Sequence, residues 1–236
     1  MAAGENLLSY DFDDRASLAK QLAEAVARNI ETMQIATGVA AIAVSGGTTP
    51  ARFFAELGKH RELDWTKVYV TLVDERWVDE TSDRSNARLV NERMLQGPAA
   101  VAHFIPLYSG GPAPDAAALE RTERLLASLP RRYAAVLLGM GNDGHTASFF
   151  PGGDNLAEAL RGEGPVVEIK APGAGEPRIT QVLRRLVETD ALYLQIEGEE
   201  KAATLAKALG EGPIEEMPIR AVLRQQAVPL QIYWAP

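Results

Sequence analysis

Cysteine is absent from the 236 residues, aromatic side chains make up 6%, and there are only three histidines. Without cysteine the chain has no disulfide framework, no thiol nucleophile and no Cys-ligated metal, and its expected location is a reducing cytoplasm. No run of about 18 apolar residues occurs, so no helical membrane span and no membrane partner are expected. The opening residues, MAAGENLLSYDF, lack a basic start followed by an apolar stretch, so they do not read as a secretory leader. Basic residues are outnumbered 24 to 32, for a net charge of −8, which argues against a nucleic-acid partner. A small anion is not excluded, because it needs only a local positive pocket. What is present is a 46% apolar composition, enough for a sizeable core, at a length that predicts one domain over residues 1–236.

The residues between Asp13 and Thr37 carry Leu18, Leu22, Val26 and Ile30 at a spacing of four, then Met33. This predicts an amphipathic helix, begun by Asp13-Asp14 and ended by Gly38. VAAIAV (Val39–Val44) is a short continuous apolar run, as in a strand buried on both faces of a parallel sheet. Thr49-Pro50 starts another helix, with threonine as the expected N-cap. Further strands are expected at Lys67–Val73, Ala134–Leu138, Val166–Lys170, Ala191–Ile196 and Pro229–Trp234. Helices are expected near Ser85–Leu95, Pro114–Leu129 and Glu199–Leu209. Strands alternating with helices imply a three-layer α/β/α, Rossmann-like domain with a mostly parallel sheet.

In such a sheet, ligands bind beyond the carboxyl ends of the strands. Three of these ends carry unusual chemistry. Ser45-Gly46-Gly47-Thr48-Thr49-Pro50 supplies backbone N–H groups, hydroxyls and a helix N-terminus, a suitable cradle for a phosphate. It equally suits an ordinary turn, and it lacks the lysine of a nucleotide-binding Walker loop. Asp74-Glu75-Arg76 offers an arginine that can clamp an anion and an aspartate that can hold sugar hydroxyls. The bland alternative is a solvated turn.

The third end is Gly139-Met140-Gly141-Asn142-Asp143-Gly144-His145-Thr146-Ala147-Ser148. Gly139, Gly141 and Gly144 match a dinucleotide fingerprint only by accident. Pro151-Gly152-Gly153 cuts off the expected helix after about two turns, and the nearest suitable acid, Glu168, lies within a strand. His145 stands out instead, two residues from Asp143, as a general base oriented by a carboxylate. His60 is expected to be a solvated residue after a helix end, and His103 a packing residue. An Asp143/His145 pair lacks the third ligand of a zinc site, so no metal is expected.

These segments together resemble the 6-phosphogluconolactonase family. The likeness runs in order through SGGTTP, VDERWVDETSDRSNARLVNERML, LLGMGNDGHTASFFPG, EPRIT and EGEEK. It implies a domain like that of glucosamine-6-phosphate deaminase and a hydrolase acting on a phosphorylated sugar δ-lactone, with no required cofactor. The assembly expected is a monomer or weak homodimer. Carried over by position, the phosphate site comprises Ser45, Gly46, Gly47 and Thr48 with Arg178 and Lys201, where Arg178 precedes a helical pattern. Asp74, Arg76, Gly141 and Gly144 complete the implied substrate site, with His145 as base and Asp143 as its orienting partner. Two other functions share the pattern. Glucosamine-6-phosphate deaminases typically read DGHIAFNEP at the third loop, and the acid they use five residues after the histidine falls here on Phe150. A sugar-phosphate sensor would usually add a basic helix-turn-helix module, whereas only about 38 residues precede the first expected strand.

Overall fold

A computed structural model describes residues 6–236. The chain begins with β1 (Leu7–Asp11), α1 (Arg15–Thr37), β2 (Ala40–Val44), α2 (Ala51–Leu57), β3 (Val68–Leu72), β4 (Asp74–Arg76) and α3 (Asn86–Arg93). It continues through β5 (His103–Ile105), α4 (Ala116–Leu126), β6 (Ala135–Leu138), α5 (Leu156–Arg161), β7 (Val166–Ile169) and β8 (Arg178–Gln181). The last elements are α6 (Leu183–Leu186), β9 (Leu192–Glu197), α7 (Glu199–Leu209), α8 (Ile219–Arg224) and β10 (Leu230–Ala235).

Seven strands form one parallel sheet in the order β1-β10-β9-β6-β2-β3-β5. The apolar runs noted in the sequence occupy its centre, and every residue of β2 and β6 is buried. Helices cover both faces. On one, α1 lies across β2, β6 and β10 and packs on α2; on the other, α7 rests against β9 and pairs with α8. The fold is therefore α/β with a mostly parallel sheet, as expected. From β2 the chain moves outward through β3 and β5, then returns to β6 and continues through β9 to β10 on the other side. The direction of winding thus reverses between β2 and β6, where loops leaving neighbouring strands diverge and open a crevice.

The long helix α1 begins and ends where its residues require. Asp14 caps it by accepting from the amides of Ala16 and Ser17, both at 2.8 Å. Gly38, at φ 85°, closes it by donating to the Gln34 carbonyl at 2.8 Å. Leu18, Leu22, Val26, Ile30 and Met33 are all buried. Each contributes about 1.5–3 kcal/mol of transfer free energy, against the entropy lost in ordering it.

Several expectations need correction. Val166–Ile169 does not join the parallel sheet; β7 pairs antiparallel with β8, and β8 with β4, in a separate three-stranded sheet. Arg178 opens β8 rather than preceding a helix, and Asp74 and Arg76 belong to β4 rather than to a loop. Pro50, not Thr49, is the N-cap of α2, with no side-chain cap bond. No two-turn helix follows Ser148: turns lead to α5, which starts at Leu156. His103 is exposed on edge strand β5, stacked on Tyr69 with ring centroids 4.8 Å apart. His60 is half-buried beside Glu62. No helix among the described residues is long and apolar enough to cross a membrane.

Candidate active site

The crevice at the reversal holds a cavity of about 240 Å³, walled by the Ser45–Pro50 loop, Asp74, Asn86, Gly139–Gly141, His145, Ala147, Gln195 and Lys201. Its size suits a small polar molecule, below the roughly 300–1,000 Å³ usual for drug-sized ligands. β2 delivers the glycine loop, β6 the histidine loop, β3 leads into Asp74, and β9 leads into Lys201. Four positions far apart in the chain thus converge at one end of the sheet.

The histidine loop is folded tightly on itself. Gly141 donates from its amide to the His145 carbonyl at 2.8 Å, and Gly144 donates to the Gly141 carbonyl at 3.0 Å. Gly144 adopts φ 80°, and its carbonyl accepts from the Ile219 amide at 2.8 Å. His145 Nδ1 lies 2.6 Å from Asp143 Oδ1, which also accepts from the His145 amide at 3.0 Å. Burial alone pushes Asp143 up, but these bonds to His145 outweigh it and leave the carboxyl at about 2. An ionised carboxylate only accepts, so Nδ1 carries the hydrogen and the neutral ring presents its lone pair at Nε2. The Phe150 ring packs on the imidazole at 4.5 Å between centroids. A Cβ at Gly141 would stand 2.1 Å from Nδ1, so only glycine allows the ring to settle there.

β4 and the start of α3 share a buried network. Asp74 is 5% exposed and Oδ2 accepts from Ser148 Oγ at 2.6 Å, while Arg178 Nη1 stands 4.0 Å from the same oxygen. Glu75 is fully buried and accepts from the amides of Arg76, Asn86 and Ala87 and from Ser85 Oγ. It thereby ties β4 to the start of α3. Asn86 donates from Nδ2 to the Asp74 carbonyl at 3.0 Å and lies against Gly46, where a Cβ would meet its Oδ1 at 1.9 Å. Burial pushes the Glu75 carboxyl up to about 7, against the pull of the three amides. A raised acid stabilises the fold most below its ordinary value of 4.5 and loses that contribution as the pH climbs through 7. The excess in melting temperature of the wild type over Glu75→Gln is therefore expected to be smaller at pH 8 than at pH 5. A thermal melt series across that range checks it.

The cationic groups divide into two sets. Lys201 lines the crevice and donates to the Met140 carbonyl at 2.6 Å; burial draws its ammonium down from the ordinary value, opposed by Asp143. Arg76 and Arg178 lie outside the cavity wall and face each other in the β4–β8 register. Arg178 donates to the Ala174 carbonyl at 2.9 Å and sits over Phe150, 5.4 Å from the ring centroid. Burial lowers the Arg178 guanidinium, opposed by Asp74. Arg76 donates to the Arg84 carbonyl, and the Nε atoms of both Arg76 and Arg178 are buried without a partner among the described residues. Of the residues expected for phosphate, Ser45–Thr48 and Lys201 line the crevice, while Arg178 stands against Asp74, which lines it, and over Phe150.

Sequence reasoning overlooked Glu75, Asn86, Ser148 and Gln195. Gln195 had a visible signal as the lone polar residue in ALYLQI. Ser148 and Asn86 had none, because their partners lie 74 and 12 positions away.

Residues 13–234 match the family model described as glucosamine-6-phosphate isomerases/6-phosphogluconolactonase. The chain belongs to this family. Among its curated members is the 6-phosphogluconolactonase of Rhizobium meliloti, 50% identical over 227 residues, covering 95% of this chain and 97% of that one. A 6-phosphogluconolactonase from Shewanella baltica has a crystal structure that superposes with a TM-score of 0.95. It is 36% identical, and the match covers 98% of this chain and 99% of the other. A monomeric glucosamine-6-phosphate deaminase, 18% identical, matches with a TM-score of 0.76, covering 97% of each chain, and shows the shared fold alone. In this chain the glycine loop after β2 and His145 after β6 line one crevice.

Proposed function

We propose that this member of the family hydrolyses 6-phospho-D-glucono-1,5-lactone to 6-phosphogluconate, the lactone-opening step of the oxidative pentose phosphate pathway, with His145 as general base. The observation that carries the proposal is the Asp143-oriented imidazole facing a phosphate-suited loop and Lys201 across one small cavity. His145 Nε2 takes a proton from water as its oxygen bonds to the lactone carbonyl carbon. The resulting oxyanion collapses, the bond from that carbon to the ring oxygen breaks, and the imidazolium returns the proton to the departing oxygen. The product carboxylic acid then ionises. Asp143 holds the ring in place, and Asp74 accepts hydrogen bonds from sugar hydroxyls. Arg76 and Arg178 supply positive potential from behind, and Lys201 with the Gly46–Thr48 amides holds the phosphate. Binding energy at the phosphate positions the distant carbonyl for attack.

Phe150, packed against His145, stands where the deaminases carry an acid, so Asp143 has no second carboxylate opposite it at that position, which favours hydrolysis over the deaminase chemistry. A single catalytic unit acting on a small metabolite fits a cytoplasmic monomer or weak homodimer. The direct test is turnover of freshly generated lactone with background hydrolysis subtracted. Lys201→Met is expected to raise KM about 10- to 100-fold, the value of a charge-assisted hydrogen bond, with a much smaller change in kcat. An unchanged KM removes Lys201 from the phosphate site.

A further inference from the structure

Gln195 is the polar interruption in β9, a strand whose other residues from Leu192 to Ile196 are apolar and buried. It is itself only 2% exposed and lines the crevice. Its Nε2 is shared between the Thr49 carbonyl at 3.3 Å and Glu197 Oε1 at 3.1 Å. Glu197 is in turn paired with Arg15 at 3.5 Å. With two acceptors facing the nitrogen, the amide cannot flip without placing oxygen against oxygen. Gln195 Oε1 is buried with no donor among the described residues, the only such atom on a residue of the cavity wall. A leucine here would remove the unpaired Oε1 but would strip the Thr49 carbonyl and Glu197 Oε1 of their shared donor, so the glutamine is held by polar contacts rather than by packing.

We propose that Gln195 is a positioning residue that makes the crevice demand a phosphorylated substrate. It anchors the Thr49 carbonyl and so fixes the end of the loop whose amides face the phosphate. A neutral amide does this without adding an anion beside that site, which a glutamate would. The proposal deepens the lactonase reading and rests on its assignment of the Ser45–Thr48 loop to phosphate.

The test uses Gln195→Leu and Gln195→Glu in the full chain, assayed on 6-phosphogluconolactone and on unphosphorylated glucono-1,5-lactone. Gln195→Leu is expected to raise KM for the phosphorylated lactone about tenfold while kcat changes less than about threefold. The loss of kcat/KM on the unphosphorylated lactone is expected to be several-fold smaller, and Gln195→Glu to raise KM further. A thermal melt of each variant separates misfolding from loss of positioning, since a folded Gln195→Leu with raised KM has lost the anchor and not the fold. An unchanged KM, or equal losses on both lactones, overturns the proposal. Titration with 6-phosphogluconate and with inorganic phosphate separates the two readings. If the wild type turns over neither lactone, the lactonase reading fails. Weaker binding of these anions by Gln195→Leu still supports the loop role, and unchanged binding overturns it.

Discussion

His145→Ala is expected to lower kcat about a thousandfold, within the range of about 10² to 10⁴ for a positioned general base. Binding of 6-phosphogluconate should persist, because the loop amides and Lys201 are separate from the imidazole across the cavity. The lone pair at Nε2 depends on Asp143, whose carboxylate forces the hydrogen onto Nδ1. Asp143→Asn is therefore expected to lower kcat as well, since an amide can donate to Nδ1 and favour the other tautomer. Single-turnover rates on fresh lactone, with matched 6-phosphogluconate titrations, measure both effects. Turnover of His145→Ala close to that of the wild type would sink the assignment.

Gly141→Ala is expected to cut kcat about a hundredfold, the scale of a displacement of about 1 Å at a reacting group. The added methyl would lie 2.1 Å from His145 Nδ1 and 2.5 Å from Asp143 Oδ1, so something must move. The backbone is held by two hydrogen bonds, from Gly141 to the His145 carbonyl and from Gly144 to the Gly141 carbonyl, so the side chains yield instead. Gly141 is not among the glycines with positive φ, so alanine brings no conformational penalty and the melting temperature should change little. A folded variant with normal kcat would show that the imidazole does not need the position seen over Gly141.

These two expectations differ in what made them possible. His145 is conspicuous in the sequence: a histidine among glycines after an apolar run, two residues from an aspartate. The tight loop is built from neighbours, so its local chemistry is written in its own segment. The steric role of Gly141 is not legible there, since nothing in G-N-D-G-H says that the imidazole folds back over that particular glycine.

The elements divide in the same way. α1 follows from a spacing of four with Asp14 and Gly38 at its ends, because helix bonds and caps are local. β2 and β6 follow from uninterrupted apolar runs. β1 escaped notice because it is an exposed edge strand with little apolar pattern. β4 and β8 were missed because they are short and polar and because β4 finds its partner β8 only across about a hundred residues.

By itself, then, the sequence determined the α/β class, the central strands, the glycine loop and the Asp143/His145 pair. The absence of cysteine and the scarcity of histidine left few candidates for the chemistry. Only the tertiary structure decided how the positive charge is distributed. A net charge of −8 and a list of basic residues cannot say that Lys201 lines the crevice while Arg178 rests against Asp74 and Arg76 reaches the Arg84 carbonyl. The physical reason is that β8 turns antiparallel to β4 and sets those arginines in a separate small sheet. Strand order and pairing between distant segments are free energies of the whole fold, and no single segment carries them.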